Sequence, residues 1–218
     1  MQNNLLLYHL VRQPKVKKDK NPLLLLLHGY GSNEEDLFSF AEQLPGEYLI
    51  VSARAPYSLP PYGNAWYAIN FDAGMNKFSD EVQAVASRDL ISKFIDELID
   101  TYPIDREKIT LIGFSQGAIL SYAVAITYPQ KIQRVAALSG YLNTEIAGKE
   151  YSKDELAKLK LFISHGTADQ VIPVDWARKA PEFFRDSGIE TEYHEYPVGH
   201  GVAPQNFYDL LSWMEKTA

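Results

Sequence analysis

The chain has 218 residues, 46% of them hydrophobic and 22% charged, which are the proportions of an ordinary globular protein. With 21 basic and 28 acidic side chains the formal net charge is −7, excluding the basic face that nucleic acids and anionic membranes select. There is no cysteine, which rules out a disulfide framework, a thiolate nucleophile, a CxxC redox pair and cysteine-ligated zinc.

The first residues, Met1 to His9, lack a basic region ahead of their short apolar run and read poorly as a signal peptide. The longest apolar run, 23–27, falls far short of the ~20 residues a membrane span needs. A cytoplasmic protein without an integral membrane segment is therefore expected. Residues 15–22, Lys-Val-Lys-Lys-Asp-Lys-Asn-Pro, read as an exposed hairpin loop between two apolar strands. From there short β-like runs alternate with helical patterns. The runs at 23–27, 48–51, 109–112, 135–138 and 161–163 are continuously apolar, as in strands covered on both faces. Ile91, Phe94, Ile95 and Leu98 follow helical spacing, as do Ala118, Ile119, Tyr122, Ala123 and Ile126. A helix over 176–184 capped by Asp175, a strand over 190–196 and a last helix with Phe207, Leu210, Leu211 and Met214 complete the alternation. With no repeat or linker, it predicts one α/β domain over 1–218, a mostly parallel sheet with helices on both faces. Only the long segment 54–80 breaks the pattern. Rich in proline and carrying Tyr57, Tyr62, Trp66, Tyr67, Phe71 and Phe78, it reads both as a packed cap on the sheet and as a pocket wall.

Gly113-Phe114-Ser115-Gln116-Gly117 has the form Gly-x-Ser-x-Gly, placed after a strand and at the start of a helix. That is the setting of a nucleophile elbow. The serine occupies a strained turn, the glycines avoid clashes, and the helix N-terminus behind it favours developing negative charge. A serine hydroxyl needs a base. His9 and His194 fall in strands with alternating neighbours, and His28 precedes the serine, breaking the chain order of such folds. His165 ends a strand and remains an alternative. His200, on the glycine-flanked loop Gly199-His200-Gly201 after a strand, is the stronger candidate.

An acid must orient that base. Asp154 reads as part of a capping box with Ser152 and Glu155, Asp175 as a helix cap, and Asp186 as solvated near a helix end. Asp169, in a short loop after a buried strand, is selected. Ser115, then Asp169, then His200 is the chain order of α/β-hydrolases, with each residue at the C-terminal end of a strand. Oxyanion donors are expected from the backbone N–H of Gln116 and that of Tyr30, with Gly29 as the fallback. Gly29, Trp66, Tyr67, Val171 and Ile172 are expected around the substrate. The short stretch 139–160 leaves no room for a large cap domain.

These segments resemble the phospholipase/carboxylesterase family of small α/β-hydrolases, which includes acyl-protein thioesterases. The resemblance rests on Leu27-His28-Gly29-Tyr30-Gly31, Ala65-Trp66-Tyr67, Gly113-Phe114-Ser115-Gln116-Gly117, His165-Gly166-Thr167-Ala168-Asp169 with Val171-Ile172-Pro173, and Gly199-His200. It implies a Ser115–His200–Asp169 triad, oxyanion donors at Tyr30 and Gln116, and Trp66 near the acyl site. It further implies hydrolysis of carboxylic esters or thioesters of small or apolar acyl groups, needing neither metal nor organic cofactor. Aryl esters, lysophospholipids and peptides are alternative substrates for the same machinery, and a non-catalytic binding protein is the alternative from another class. Monomer and homodimer are both left open.

Overall fold

The computed structural model describes residues 5–61, 63–71, 77–148 and 153–218. Residues 1–4, Tyr62, Gly74 and Ser152 lie outside these, and with them the capping box expected at Ser152.

Seven strands form the central sheet: β1 His9–Arg12, β2 Asn21–Leu27, β3 Leu49–Ala53, β4 Ile104–Phe114, β5 Arg134–Leu138, β6 Lys160–Gly166 and β7 Glu190–Tyr196. Their spatial order is β1-β3-β2-β4-β5-β6-β7, and every pairing is parallel except that of β1 with β3. Of the charged stretch 15–22, residues 15–20 are exposed as expected, whereas Asn21 and Pro22 are buried at the start of β2. The stretch is not a hairpin loop, however. β1 pairs with β3, so the chain passes over one strand position before entering β2, and hydrogen bonds between β1 and β3 replace the expected contact.

The continuous apolar runs bury opposite faces in alternation. Leu23, Leu25 and Leu27 of β2 join one core with Val51, Leu111, Val135 and Ile163, while Leu24 and Leu26 join a second with Ile50, Ile112, Ala136 and Phe162. The first face is covered by helices α1 Glu81–Thr101, α2 Gln116–Thr127 and α3 Lys179–Asp186, the second by the single turn Glu35–Phe38 and helix α4 Pro204–Lys216. A sheet sandwiched in this way has no polar face, which is why its strands read as unbroken hydrophobic runs. Arg134, at the start of β5, is a cationic side chain buried in this sandwich. It donates to Thr110 Oγ1, the Met214 carbonyl, Thr217 Oγ1 and the Tyr48 hydroxyl, tying α4 to the sheet.

The helix expected over 176–184 is broken in two. A turn at Val174–Ala177 precedes α3, and Pro181 sits in the first turn of α3, where its missing N–H costs nothing. Asp175 is therefore not a cap. It lies inside the first turn and accepts a hydrogen bond from Arg178 at 2.7 Å. Within 54–80 two short antiparallel strand pairs form, Tyr57–Ser58 with Asn64–Ala65 and Ile69–Phe71 with Lys77–Ser79, and the chain enters α1 through Asp80, which caps it by accepting from Gln83 N–H at 3.0 Å. Among the described residues no helix is long and apolar enough to cross a membrane. No large cap separates β5 from β6 among the described residues.

Two glycines set the depth at which α2 crosses the sheet. A Cβ on Gly117 would stand 2.0 Å from the Leu27 carbonyl oxygen, and one on Gly113 would stand 2.4 Å from that of Gly117. Backbone cannot yield to such contacts as a flexible side chain can. Gly117→Ala should therefore cost about 2 kcal/mol or more in urea unfolding, as overpacking of a rigid interior does. A variant within a few tenths of wild-type stability would show that helix and strand separate freely.

Candidate active site

All the candidate residues lie at the C-terminal edge of the parallel strands. Ser115 follows β4 and adopts φ 53°, ψ −115°, a left-handed backbone that a non-glycine residue takes only when its surroundings impose it. Those surroundings are the Ser115 N–H bonded to the Leu138 carbonyl at 2.9 Å, and the start of α2, where Ala118 and Ile119 N–H close on the Ser115 carbonyl at 3.0 and 3.1 Å.

Asp169 and His200 come from the loops after β6 and β7. These loops touch because Gly166 has no side chain: a Cβ there would lie 2.2 Å from the Gly199 carbonyl oxygen. Thr167 and Ala168 N–H then bond to the Tyr196 and Val198 carbonyls at 2.8 and 3.0 Å. The result is a hydrogen-bonded chain. The Ser115 hydroxyl donates to His200 Nε2 at 2.9 Å, and His200 Nδ1–H donates to Asp169 Oδ2 at 2.6 Å. The carboxylate side chain is fully buried and the imidazole 18% exposed, packed beside Phe114 with ring centroids 5.0 Å apart. Burial pushes the Asp169 carboxyl up, but the Ile172 N–H, the His200 ring and the Val171 N–H outweigh it and hold the group below the usual carboxylate range.

The loop after β2 carries the remaining donors. His28 is buried, accepts the Ala55 N–H on Nε2 at 3.0 Å and donates from Nδ1 to the Gly29 carbonyl at 2.7 Å. A trans peptide points its C=O and N–H in opposite directions, so this bond also sets the direction of the Tyr30 N–H. That N–H and the N–H of Gln116, at the free start of α2, have no acceptor among the described residues. Gly29 lies under the elbow and not on a cleft wall; a Cβ there would meet Phe114 at 3.1 Å and Ser115 Cβ at 3.3 Å.

A cleft of about 360 Å³ opens over Ser115 and His200. Of the expected pocket residues, Tyr67, Val171 and Ile172 line it, and so does Tyr30. Trp66 does not. It is 0% exposed, its indole N–H donates to the His28 carbonyl at 2.9 Å, and its role is to hold the Tyr30 loop from behind. The reason is Gln116. Its side chain accepts the Trp66 N–H and donates to the Tyr67 carbonyl, both at 2.8 Å, drawing that segment into the core so that Trp66 points inward. Ile69 and Ser79 of the 54–80 segment line the cleft too. Sequence reasoning missed Ile119, Tyr141 and Trp176, and the polar Glu81 and Asn143, with Tyr141 meeting Trp176 edge to face at 5.2 Å. Tyr141 had a usable signal, since it follows the end of β5 on the same sheet edge as the other site loops.

The model of the phospholipase/carboxylesterase family matches residues 9–218. The chain belongs to that family. It is 33% identical over 158 residues to acyl-protein thioesterase 1 of Saccharomyces cerevisiae, covering 70% of this chain and 68% of the yeast protein. It is 27% identical to acyl-protein thioesterase 1 of Mycosarcoma maydis over 95% of both chains. In structure it resembles the carboxylesterase of Bacillus cereus, with a TM-score of 0.85 at 23% identity over 99% of this chain and 96% of the other. That likeness shows the α/β-hydrolase fold, and the family match makes the chain a hydrolase of the esterase class.

Two outcomes are expected from these contacts. Gln116→Ala leaves a buried N–H and a buried carbonyl without partners and should destabilise the protein by about 2 kcal/mol or more; unfolding at the wild-type urea midpoint would contradict the clamp. Burial lowers the pKa of His28 from 6.5, so below neutral pH the unfolded chain binds the proton that the folded chain refuses. Stability contributed by neutral His28 is then full above pH 6.5 and lost as pH falls below it. His28→Asn should flatten the fall in stability between pH 7 and about pH 5, and an unchanged slope would show that other groups cause it.

Proposed function

We propose that this family member hydrolyses carboxylic esters of small or apolar acyl groups through an acyl-Ser115 intermediate, with residues 1–218 acting as one domain. The observation that carries the proposal is the unbroken chain from Ser115 Oγ through His200 to Asp169 at the floor of a cleft whose walls are mostly apolar, with Glu81 and Asn143 among them.

In the first half-reaction His200 Nε2 takes the Ser115 proton while Oγ attacks the ester carbonyl. Negative charge forms on the carbonyl oxygen, where the Tyr30 and Gln116 N–H groups, without an acceptor among the described residues, are the donors that receive it. His200 returns its proton to the departing alcohol, leaving the acyl group on Ser115. A water molecule then gives a proton to His200 and its oxygen to the acyl carbon. Collapse of that intermediate releases the acid and restores the Ser115 hydroxyl. Asp169 remains a carboxylate throughout, in keeping with the N–H groups that hold its pKa down. The chemistry asks for no cofactor. A small-molecule ester in the cytoplasm fits this reading, and a second copy of the chain is not needed for the site.

A thioester is the second reading, favoured by the names of the yeast and Mycosarcoma relatives. The cleft is lined by Tyr67, Ile119, Tyr141, Val171 and Trp176, which suits the acyl part of either substrate.

The test is hydrolysis of matched aryl esters and thioesters of increasing acyl length, with Ser115→Ala alongside. The variant should lose at least about a thousandfold in turnover, and fluorophosphonate should label wild-type Ser115 alone. Activity should fall on the acid side of neutrality, because Nε2 must be unprotonated to accept the serine proton. Retention of a tenth of the activity by Ser115→Ala would sink the proposal.

A further inference from the structure

Asp169 is held by more donors than the hydrogen-bonded chain with His200 requires. Its Oδ1 accepts the Val171 and Ile172 N–H groups at 2.8 and 2.9 Å, and its Oδ2 accepts His200 Nδ1–H. A second imidazole then approaches Oδ2: His165 Nε2 lies 3.2 Å away, and both side chains are wholly inaccessible to solvent. The same nitrogen stands 2.8 Å from the Ile172 carbonyl. Both neighbours can only accept, so Nε2 carries the hydrogen.

His165 is otherwise out of place. It continues the row of Leu161 and Ile163 on the inward face of β6, where an apolar residue would bury at less cost. Its Nδ1 is buried with no partner among the described residues, so only the edge facing the acid loop is engaged. The charged groups around this pair are few. Glu195 of β7 stands in register with His165, is bound at 2.7 and 2.8 Å by Arg178, and accepts the Tyr193 hydroxyl. Arg178 also binds Asp175.

We propose that His165 is a positioning residue for the acid of the triad: its Nε2–H anchors the loop through Ile172 and draws charge from the Asp169 oxygen that serves His200. The proposal rests on the triad reading. Its consequence has a sign. A carboxylate whose charge is partly offset by a nearby N–H dipole stabilises the charged form of the base less. Removing that dipole therefore strengthens the attraction between Asp169 and protonated His200, and activity should begin at higher pH. Loosening the carboxylate should also slow turnover at every pH.

The experiment is a pH profile of kcat/KM for a short aryl ester with wild type, His165→Leu and His165→Gln. The leucine variant should lose about tenfold or more in kcat and shift its acid limb upward by about half a pH unit. Glutamine, whose amide nitrogen can occupy the Nε2 position, should restore most of both. A folded leucine variant with an unmoved acid limb would overturn the proposal, even if slower, because a purely structural role lowers the rate without moving the limb. Should that variant fail to fold, His165→Gln is compared with His165→Asn, whose shorter amide cannot reach Oδ2; identical acid limbs would overturn it equally. Wild type indifferent to Ser115→Ala would remove the underlying triad reading. Wild type silenced by Ser115→Ala with an acid limb indifferent to position 165 would remove this proposal alone.

Discussion

No side chain fits between the first turn of α2 and the end of β2, and the site is built on that exclusion. With Gly117 against the Leu27 carbonyl and Gly113 against Gly117, the helix starts directly over the sheet edge. The chain has one residue, Ser115, in which to turn from strand to helix, and that residue takes the left-handed conformation. The strained turn brings the serine hydroxyl to His200 and leaves the Gln116 N–H at the free start of the helix. Because β2 is locked to the same contact, the loop that leaves it delivers His28, Gly29 and Tyr30 against the elbow. Packing of backbone on backbone thus sets the position of groups that come from distant parts of the chain.

Three histidines gather at this edge, and their neighbours assign them different work. His28 is fixed by a donor on one nitrogen and an acceptor on the other, so it serves as a rigid strut for the Gly29–Tyr30 peptide. His200 faces a carboxylate on one side and a hydroxyl on the other, the arrangement on which the proposed proton transfer rests. His165 meets only acceptors, on one nitrogen. Residue type alone does not separate these roles; the polarity of the groups around each ring does.

The cleft walls come from loops that follow different strands, with Gln116 as the link between wall and elbow. Its backbone belongs to the elbow while its side chain holds Trp66 and Tyr67. Ala68 N–H bonds in turn to Gln83 of α1 at 2.8 Å, so the aromatic segment is anchored at both the elbow and the long helix. Substrate shape can vary with such loops while the floor stays constant, which accords with a fold shared with the Bacillus carboxylesterase at 23% identity.

Much of this was legible in the residues. Unbroken apolar runs gave away strands covered on both faces, and the spacing of Ile91, Phe94, Ile95 and Leu98 marked α1. Glycines around Ser115 and His200 pointed to tight loops at strand ends. Local chemistry determines these features, because strand, helix and turn preferences act over a few residues. What lay beyond reach was every feature set by which strand neighbours which. The pairing of β1 with β3 joins strands distant in sequence, and the helix expected over 176–184 divides ahead of Pro181. Trp66 faces the core and not the cleft because a glutamine fifty positions away supplies its hydrogen-bond partner. Residue types and their short-range spacing determined which groups this protein has available for chemistry. Only the tertiary structure decided which of them meet, since hydrogen bonds of fixed direction between distant segments form once close packing has placed both partners.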